Sequence, residues 1–429
     1  AGRKLSAKVL VGTLLATWIG SGSIIASAGL AYNRGLPALW FDAGVWCALV
    51  ILYLVAGRVR KFGQYTVPDI LEARYNQWAR VLGTVVTIIA YTAIVSYQFR
   101  AGGMVLNLIT GLPIETGIII TAVFVILYTV LAGLISVAYT DVVNGIIMTI
   151  GLFVALPFLL SNAGGWNEVV NQLPETHFQV LGDLTLLQAL AYALPTMLLL
   201  LGESGMYQRF FAARDEGAAR RAVVGWIIGT IIIETLIVFL AVIGSALYQG
   251  IESEMVILYS VKQGVPVLIG CLLLSAIVAV IVSTADSFLL VPATNVMRDI
   301  YQRFINPDLS QKKMVLYSRI VVVLLGAIAF VQVSFFERVL EMAIYAYTVY
   351  GVGITPAVMA AFFWKRATVA GGIASMASGA VVTILWEVLQ RPFDLQTIYP
   401  ALGLSLVSLV MVSLLSPKPA EEKWKPFFG

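Results

Sequence analysis

Apolar runs of roughly 20 residues, each enough to cross about 30 Å of hydrocarbon as an α-helix, follow one another along this chain from end to end. Lipid offers no water to a loose backbone, so only helices and closed β-barrels can span it. Barrel strands would read as short segments of alternating polarity. These runs are long and continuously apolar, which leaves an all-α polytopic membrane protein. Only 12% of the 429 residues are charged, about half the share of a soluble domain. About twelve transmembrane helices are expected, at 9–32, 38–57, 81–110, 116–134, 140–161, 185–207, 222–248, 263–297, 320–336, 339–363, 369–390 and 398–416. Those at 9–32, 81–110 and 263–297 exceed the minimum, which predicts tilt, breaks or extensions there. The basic loop at 58–80 is amphipathic and is expected to include a short interfacial helix.

The placement of basic residues sets the orientation. With the connections assigned alternately to two sides, 22 of the 27 Lys and Arg fall on one side, in the segments around Lys8, Arg60, Arg214, Lys312, Lys365 and Lys423. The positive-inside rule makes that side cytoplasmic and puts both ends of the chain there. A plasma-membrane location is expected, the inner membrane in a bacterium. These cations are topology signals, so no nucleic-acid partner is expected. The partners are the bilayer and a small solute, and no obligate protein partner is inferred. Cys47 and Cys271 both fall inside spans and read as small buried hydrophobes. One histidine, His177, in a loop argues against a His/Cys zinc or haem site.

Nothing in the composition divides the chain, so 1–429 reads as a single membrane transport domain. Spans 1 and 6 share one trait. Span 1 is interrupted by Gly20-Ser21-Gly22-Ser23, and span 6 carries Pro195 and then Gly202-Glu203-Ser204-Gly205. Freed backbone groups are tolerable in a membrane only where they face protein, water or an ion, and interrupted spans at matching places in two halves point to a transporter binding site. The halves are 9–162 and 184–364, followed by two peripheral helices at 369–416. Five spans is an odd number, so the second half starts from the opposite side, as an inverted repeat. Ordinary packing glycines are the plain alternative.

Span 8 contains Ser283-Thr284-Ala285-Asp286-Ser287 deep in an apolar helix. Ser283, Asp286 and Ser287 lie at i, i+3 and i+4, on one face. A hard cation such as sodium wants several oxygens at short range, as other hard cations do. Ser and Thr can instead bond back to their own helix, but a lone mid-membrane carboxylate costs roughly 2.5–3.5 kcal/mol on insertion scales, which favours a functional Asp286. Asp141 opens span 5 and Asp42 opens span 2. An acid at a helix N-terminus suits the dipole, so capping stays open beside cation or substrate binding for both. Arg100 is the only basic residue inside a span; pairing with an acid, snorkelling and binding a substrate carboxylate all remain open.

The runs Ala16-Thr-Trp-Ile-Gly-Ser-Gly-Ser23, Tyr139-Thr-Asp141, Tyr207-Gln-Arg209, Ser283-Thr-Ala-Asp-Ser287 and Phe363-Trp-Lys-Arg366, in that order, resemble the sodium:solute symporter family over essentially the whole chain. The resemblance implies the leucine-transporter-type fold, with a five-plus-five inverted-repeat core. It also implies sodium as the coupling ion, held between spans 1 and 8 by the carbonyls of Ala16, Ile19 and Val280 and the hydroxyls of Ser283 and Thr284. Some members have a second sodium site, whose positions here are Ser283, Asp286, Ser287 and Asp141. The family's substrate positions fall on Trp18, Ser23 and Asp42, with an inner gate near Tyr345. Asp286 is an acid where a matching member has a hydroxyl. Members usually carry one more helix ahead of the core, and this sequence begins just after where that helix would end.

The function expected is therefore sodium-coupled import of a small organic solute (an amino acid, sugar, carboxylate or vitamin) by alternating access, with no enzymatic activity. A proton-coupled carrier using Asp286 or Asp141 is the rival within transport. An intramembrane aspartyl protease using the same two acids lacks its Gly-x-Gly-Asp context.

Overall fold

The computed structural model describes residues 6–62, 66–131 and 134–428, with side chains except at 55–62, 134–142 and 211. Every regular element among the described residues is a helix. Ten are long and apolar enough to cross a membrane, and two bent pairs bring the number of spans to twelve.

The bent pairs are spans 1 and 6, as the glycine pattern predicts. Span 1 runs Ala7–Trp18 and then Gly22–Arg34, with a 56° bend between the two parts. Ile19 is extended (φ −77°, ψ 106°), and the chain re-enters through a π-helical turn, Gly22–Ser27. Span 6 runs Leu186–Gly202 and resumes at Ser204 with a 45° bend, the break falling on the single extended residue Glu203 (φ −65°, ψ 118°).

The other spans are Leu39–Phe62, Gln77–Thr110, Ile114–Leu131, Leu134–Asn162, Glu216–Leu247, Val267–Asn295, Gln311–Gln332, Val339–Phe363, Val369–Val388 and Ile398–Leu415. Span 3 has 34 residues, about 50 Å at 1.5 Å per residue. It starts where Asn76 Oδ1 accepts the N–H groups of Trp78 and Ala79 (3.0 Å each) and stops at the left-handed Gly111 (φ 76°). The interfacial helix is Val67–Arg74, opened by a Thr66–Asp69 capping box with Pro68 in its first turn.

Burial ranks the spans. The most apolar stretch of span 10 is 89% buried, against 22% for spans 5 and 9, so span 10 is central and the other two face lipid. Spans 2 and 6 meet at Gly44, where a Cβ would lie 2.0 Å from the Ala193 carbonyl oxygen, and Thr196 Oγ1 donates to the Phe41 carbonyl at 2.8 Å beside it.

Two expectations need correction. Cys47 and Cys271 are exposed on the outer surface; apolar character inside a span does not tell lipid from core. Span 8 starts later than hydropathy suggests, at Val267 after Gly264 and Pro266, with a separate short helix at Val256–Gln263. It ends later too, continuing as a π-helix over Val296–Ile305. Pro292 lies in its last α-helical turn, where a missing N–H favours a change of register.

Candidate transport site

The break in span 1 takes carbonyls out of the helical ladder. Ile19 N–H still reaches the Leu15 carbonyl at 3.0 Å, and bonding resumes with Ser23 and Ile24 N–H on the Gly20 carbonyl (3.2 and 3.1 Å). The unwound residues rest on span 8, since a Cβ on Gly20 would lie 3.3 Å from Thr284 Oγ1. Thr284, Val280 and Asp286 are buried, and the Cα of Ala16 stands 3.5 Å from where a Cβ on Gly145 of span 5 would be. The first and eighth spans thus meet at the break, with span 5 against the same stretch.

Beside this junction is a cavity of about 30 Å³, lined by parts of spans 1, 2, 3, 6, 7, 8 and 10. That is room for a few waters at most. Trp18, Ser23, Asp42 and Thr284 all line it. Asp42 is 1% exposed and accepts from Ser27 Oγ at 2.7 Å, so the π-helical turn of span 1 holds the first-turn acid of span 2. Aromatic rings line the cavity as well: Tyr97 and Tyr347 hydroxyls are 3.2 Å apart, and Phe41 packs on Tyr347 with ring centroids 6.1 Å apart.

A second cavity, about 230 Å³, lies toward the basic ends of the spans and includes Asp286, Ser287, Arg209 and Arg298 in its lining. Thr17, Glu203 and Phe288 line both cavities and stand between them. Phe288 meets Tyr91 edge-on (4.7 Å), and Tyr91 stacks on Tyr350 (5.2 Å). Glu203 caps the second half of span 6 through the N–H groups of Gly205 (2.9 Å) and Met206 (2.7 Å) and accepts from Tyr91 OH at 2.6 Å. Arg209, one turn on, hydrogen-bonds Thr17 Oγ1.

Tyr345 is not brought to the central cavity. It lies on an outer cavity with Glu341, Glu387 and Arg391 and packs on Phe336 at 5.1 Å. Two residues along a helix turn a side chain by roughly 200°, and Tyr347 takes the inward position. The side chain of Asp141 lies outside the described residues. Arg100 reaches the Phe336 carbonyl at 3.5 Å, away from the central cavity.

Three polar residues of the central cavity are not among the site residues expected from the sequence, where Glu203 appears only as part of the break in span 6. Gln98 is fully buried, with Oε1 accepting from Ser21 Oγ at 2.7 Å. Glu203 occupies the break in span 6. Glu234, 1% exposed in the middle of span 7, accepts from two indoles, Trp18 Nε1 at 2.9 Å and Trp46 Nε1 at 2.8 Å. An ionisable residue in a span is a functional signal in itself, and that signal was present at Glu234.

Comparison with known proteins agrees with this geometry. The sodium:solute symporter family model matches residues 1–379. The osmoregulated proline transporter OpuE of Bacillus subtilis (strain 168) is 26% identical over 423 residues, covering 93% of this chain and 85% of its own. The high-affinity proline transporter PutP of the same organism is 27% identical, covering 92% and 87%. A sodium/proline symporter of Staphylococcus aureus is 27% identical, covering 92% and 83%. Among solved structures, a substrate-bound, outward-open Na+-coupled sialic acid symporter superposes with TM-score 0.79 at 17% identity, over 97% of this chain and 91% of that one. Mhp1, a nucleobase-cation-symport-1 family transporter in a closed conformation, superposes at 0.65 with 11% identity, over 99% and 96%. The fold is the leucine-transporter type.

Proposed function

The chain belongs to the sodium:solute symporter family, and from that premise we propose that it imports proline or a close analogue, driven by sodium. The observation that carries this reading is the unwound stretch of span 1 seated against Thr284 of span 8. Carbonyls of Ala16, Ile19 and Val280 with the hydroxyls of Ser283 and Thr284 make up the sodium site. Oxygen ligands without a compact acidic cage suit a monovalent ion that must also leave. The substrate site is the central cavity, with Trp18, Ser23 and Asp42 on its wall. Residues 9–162 and 184–364 are the two repeats that move against each other, with 369–416 outside them. The basic side is cytoplasmic, so the larger cavity is the inward path. Asp286 and Ser287 line that path and form the second cation position, which Asp141 completes. Three relatives described as proline carriers support the choice of solute.

Energetically, one sodium moving down about 100 mV gains roughly 2.3 kcal/mol, and a tenfold gradient adds about 1.4 kcal/mol. The test is uptake of labelled L-proline into proteoliposomes at fixed potential, with sodium replaced by potassium at several pH values. Uptake that follows sodium supports the reading. Uptake that follows the proton gradient alone defeats it. Thr284→Ala and Ser283→Ala are each expected to raise the sodium concentration for half-maximal stabilisation by about tenfold or more, taking one ion–oxygen contact to be worth about as much as a hydrogen bond to a charged group. Unchanged sodium affinity in both variants would remove this site from consideration.

A further inference from the structure

Among the described residues the central cavity is lined by three acids, Asp42, Glu203 and Glu234, and by no Lys, Arg or His. Glu203 is occupied by the span 6 cap and Tyr91. Asp42 and Glu234 face only neutral donors: Ser27 for the first, the two indoles for the second. An ionised carboxylate has about four lone-pair sites, so each retains acceptor capacity, and a buried carboxyl group that no cation meets holds a proton until a positively charged ligand takes the proton's place. Buried charges are normally paired, and among the described residues no ion pair reaches either acid. No group of three His, Cys, Asp or Glu side chains there is placed to hold a metal ion.

A second, independent feature marks the cavity as a receptor. Gln98 is fully buried and lines the cavity, and with only the Tyr97 hydroxyl beside its Nε2, at least one of its two N–H groups has no partner among the described residues. A buried amide donor without an acceptor is costly, and an oxygen on the solute would satisfy it. The remaining wall includes Trp18, Phe41, Tyr97 and Tyr347, rings whose faces attract cations.

We infer that Glu234, held by Trp18 and Trp46 and acting with Asp42, selects solutes that carry a positively charged nitrogen. This rests on the transport reading above and narrows it to a chemical class, organic ammonium compounds. Proline qualifies through its ammonium group. Its carboxylate is dispensable, because the cavity wall provides no cationic side chain to receive it, and Gln98 meets any oxygen the solute presents.

The experiment uses the purified full chain in detergent, reading thermal stabilisation with sodium present. One probe set carries a cationic nitrogen: L-proline, pyrrolidine, choline and putrescine. The other lacks it: N-acetylproline, cyclopentanecarboxylate and glucose. Stabilisation confined to the first set, including at least one member without a carboxylate, is the expected result. Stabilisation by the second set, or by none of the first, overturns the inference. Glu234→Gln removes the charge and keeps an acceptor for only one of the two indoles, and is expected to weaken the responding amines by about tenfold to a hundredfold with sodium stabilisation retained. Asp42→Asn serves as the second variant if Glu234→Gln does not fold. Unchanged amine affinity in a folded variant of either kind also overturns it. Sodium alone is measured in parallel. If sodium still stabilises the protein, only the solute class has failed; if it does not, the transport reading has failed first.

Discussion

Replacing Arg80 with methionine is expected to destabilise the protein by about 3–5 kcal/mol, the typical result of removing one partner from a buried ion pair. The Arg80 guanidinium meets Glu72 at 2.6 Å and Asp69 at 3.0 Å, both from the interfacial helix, and it pairs more closely still with Asp299. Asp299 is 1% exposed and lies in the π-helical end of span 8. Arg303 from the same segment binds Glu72 as well. Methionine keeps the length and apolar packing of the arginine stem but leaves three acids facing one another. The measurement is the apparent melting temperature in detergent. Asp299→Asn added to Arg80→Met should recover part of the loss, because one of the stranded charges is then gone. A single variant that melts with the parent protein would show that these acids find other compensation.

The second large effect is expected at Glu203. Alanine there removes the N-cap of the second half of span 6, worth about 0.5–2 kcal/mol, and takes away one of the two partners of the buried Tyr91 hydroxyl, about 0.5–1.5 kcal/mol more, with Tyr350 left as the other. The loss falls between the two cavities, where span 6 is bent and Tyr91, Phe288 and Tyr350 pack together. Solute uptake should drop to background in Glu203→Ala. Glu203→Gln retains one acceptor oxygen and should keep a measurable rate. Parent-like uptake by the alanine variant would mean that the cap has no part in the transport cycle.

The fold was readable because its signals are of long range and low resolution. Twenty-residue apolar runs and the alternation of basic loops need no knowledge of which face of a helix points where. The two breaks were readable because Gly20, Gly22, Gly202 and Gly205 cluster where a span should be unbroken. Helical phase was the hard part. In span 10 nearly every position is apolar, so the sequence carries no period to separate Tyr345, the ring expected near the site, from Tyr347, the ring that lines the central cavity. The same blindness placed Cys47 and Cys271 in the interior. Span 7 hid Glu234 for another reason. The residue lies in Ile-Ile-Ile-Glu-Thr-Leu-Ile with no neighbouring polar cluster, and its partners, Trp18 and Trp46, come from other spans. Gln98, two residues from Arg100, is a neutral amide, which is a weaker signal inside a span than a charge.

The small volume of the central chamber, about 30 Å³, bears on how tightly any solute can be held. A ring as large as pyrrolidine needs more room than this, which a parting of the Tyr97–Tyr347 contact or a movement of Phe288 would supply. Measured affinity then equals the intrinsic value diluted by the fraction of molecules already widened. Tyr347→Phe, which removes one hydroxyl from that contact and touches no acid, should therefore shift the balance toward the roomier form. Cargo would arrive faster and be held more firmly, through a residue that adds no new bond to it.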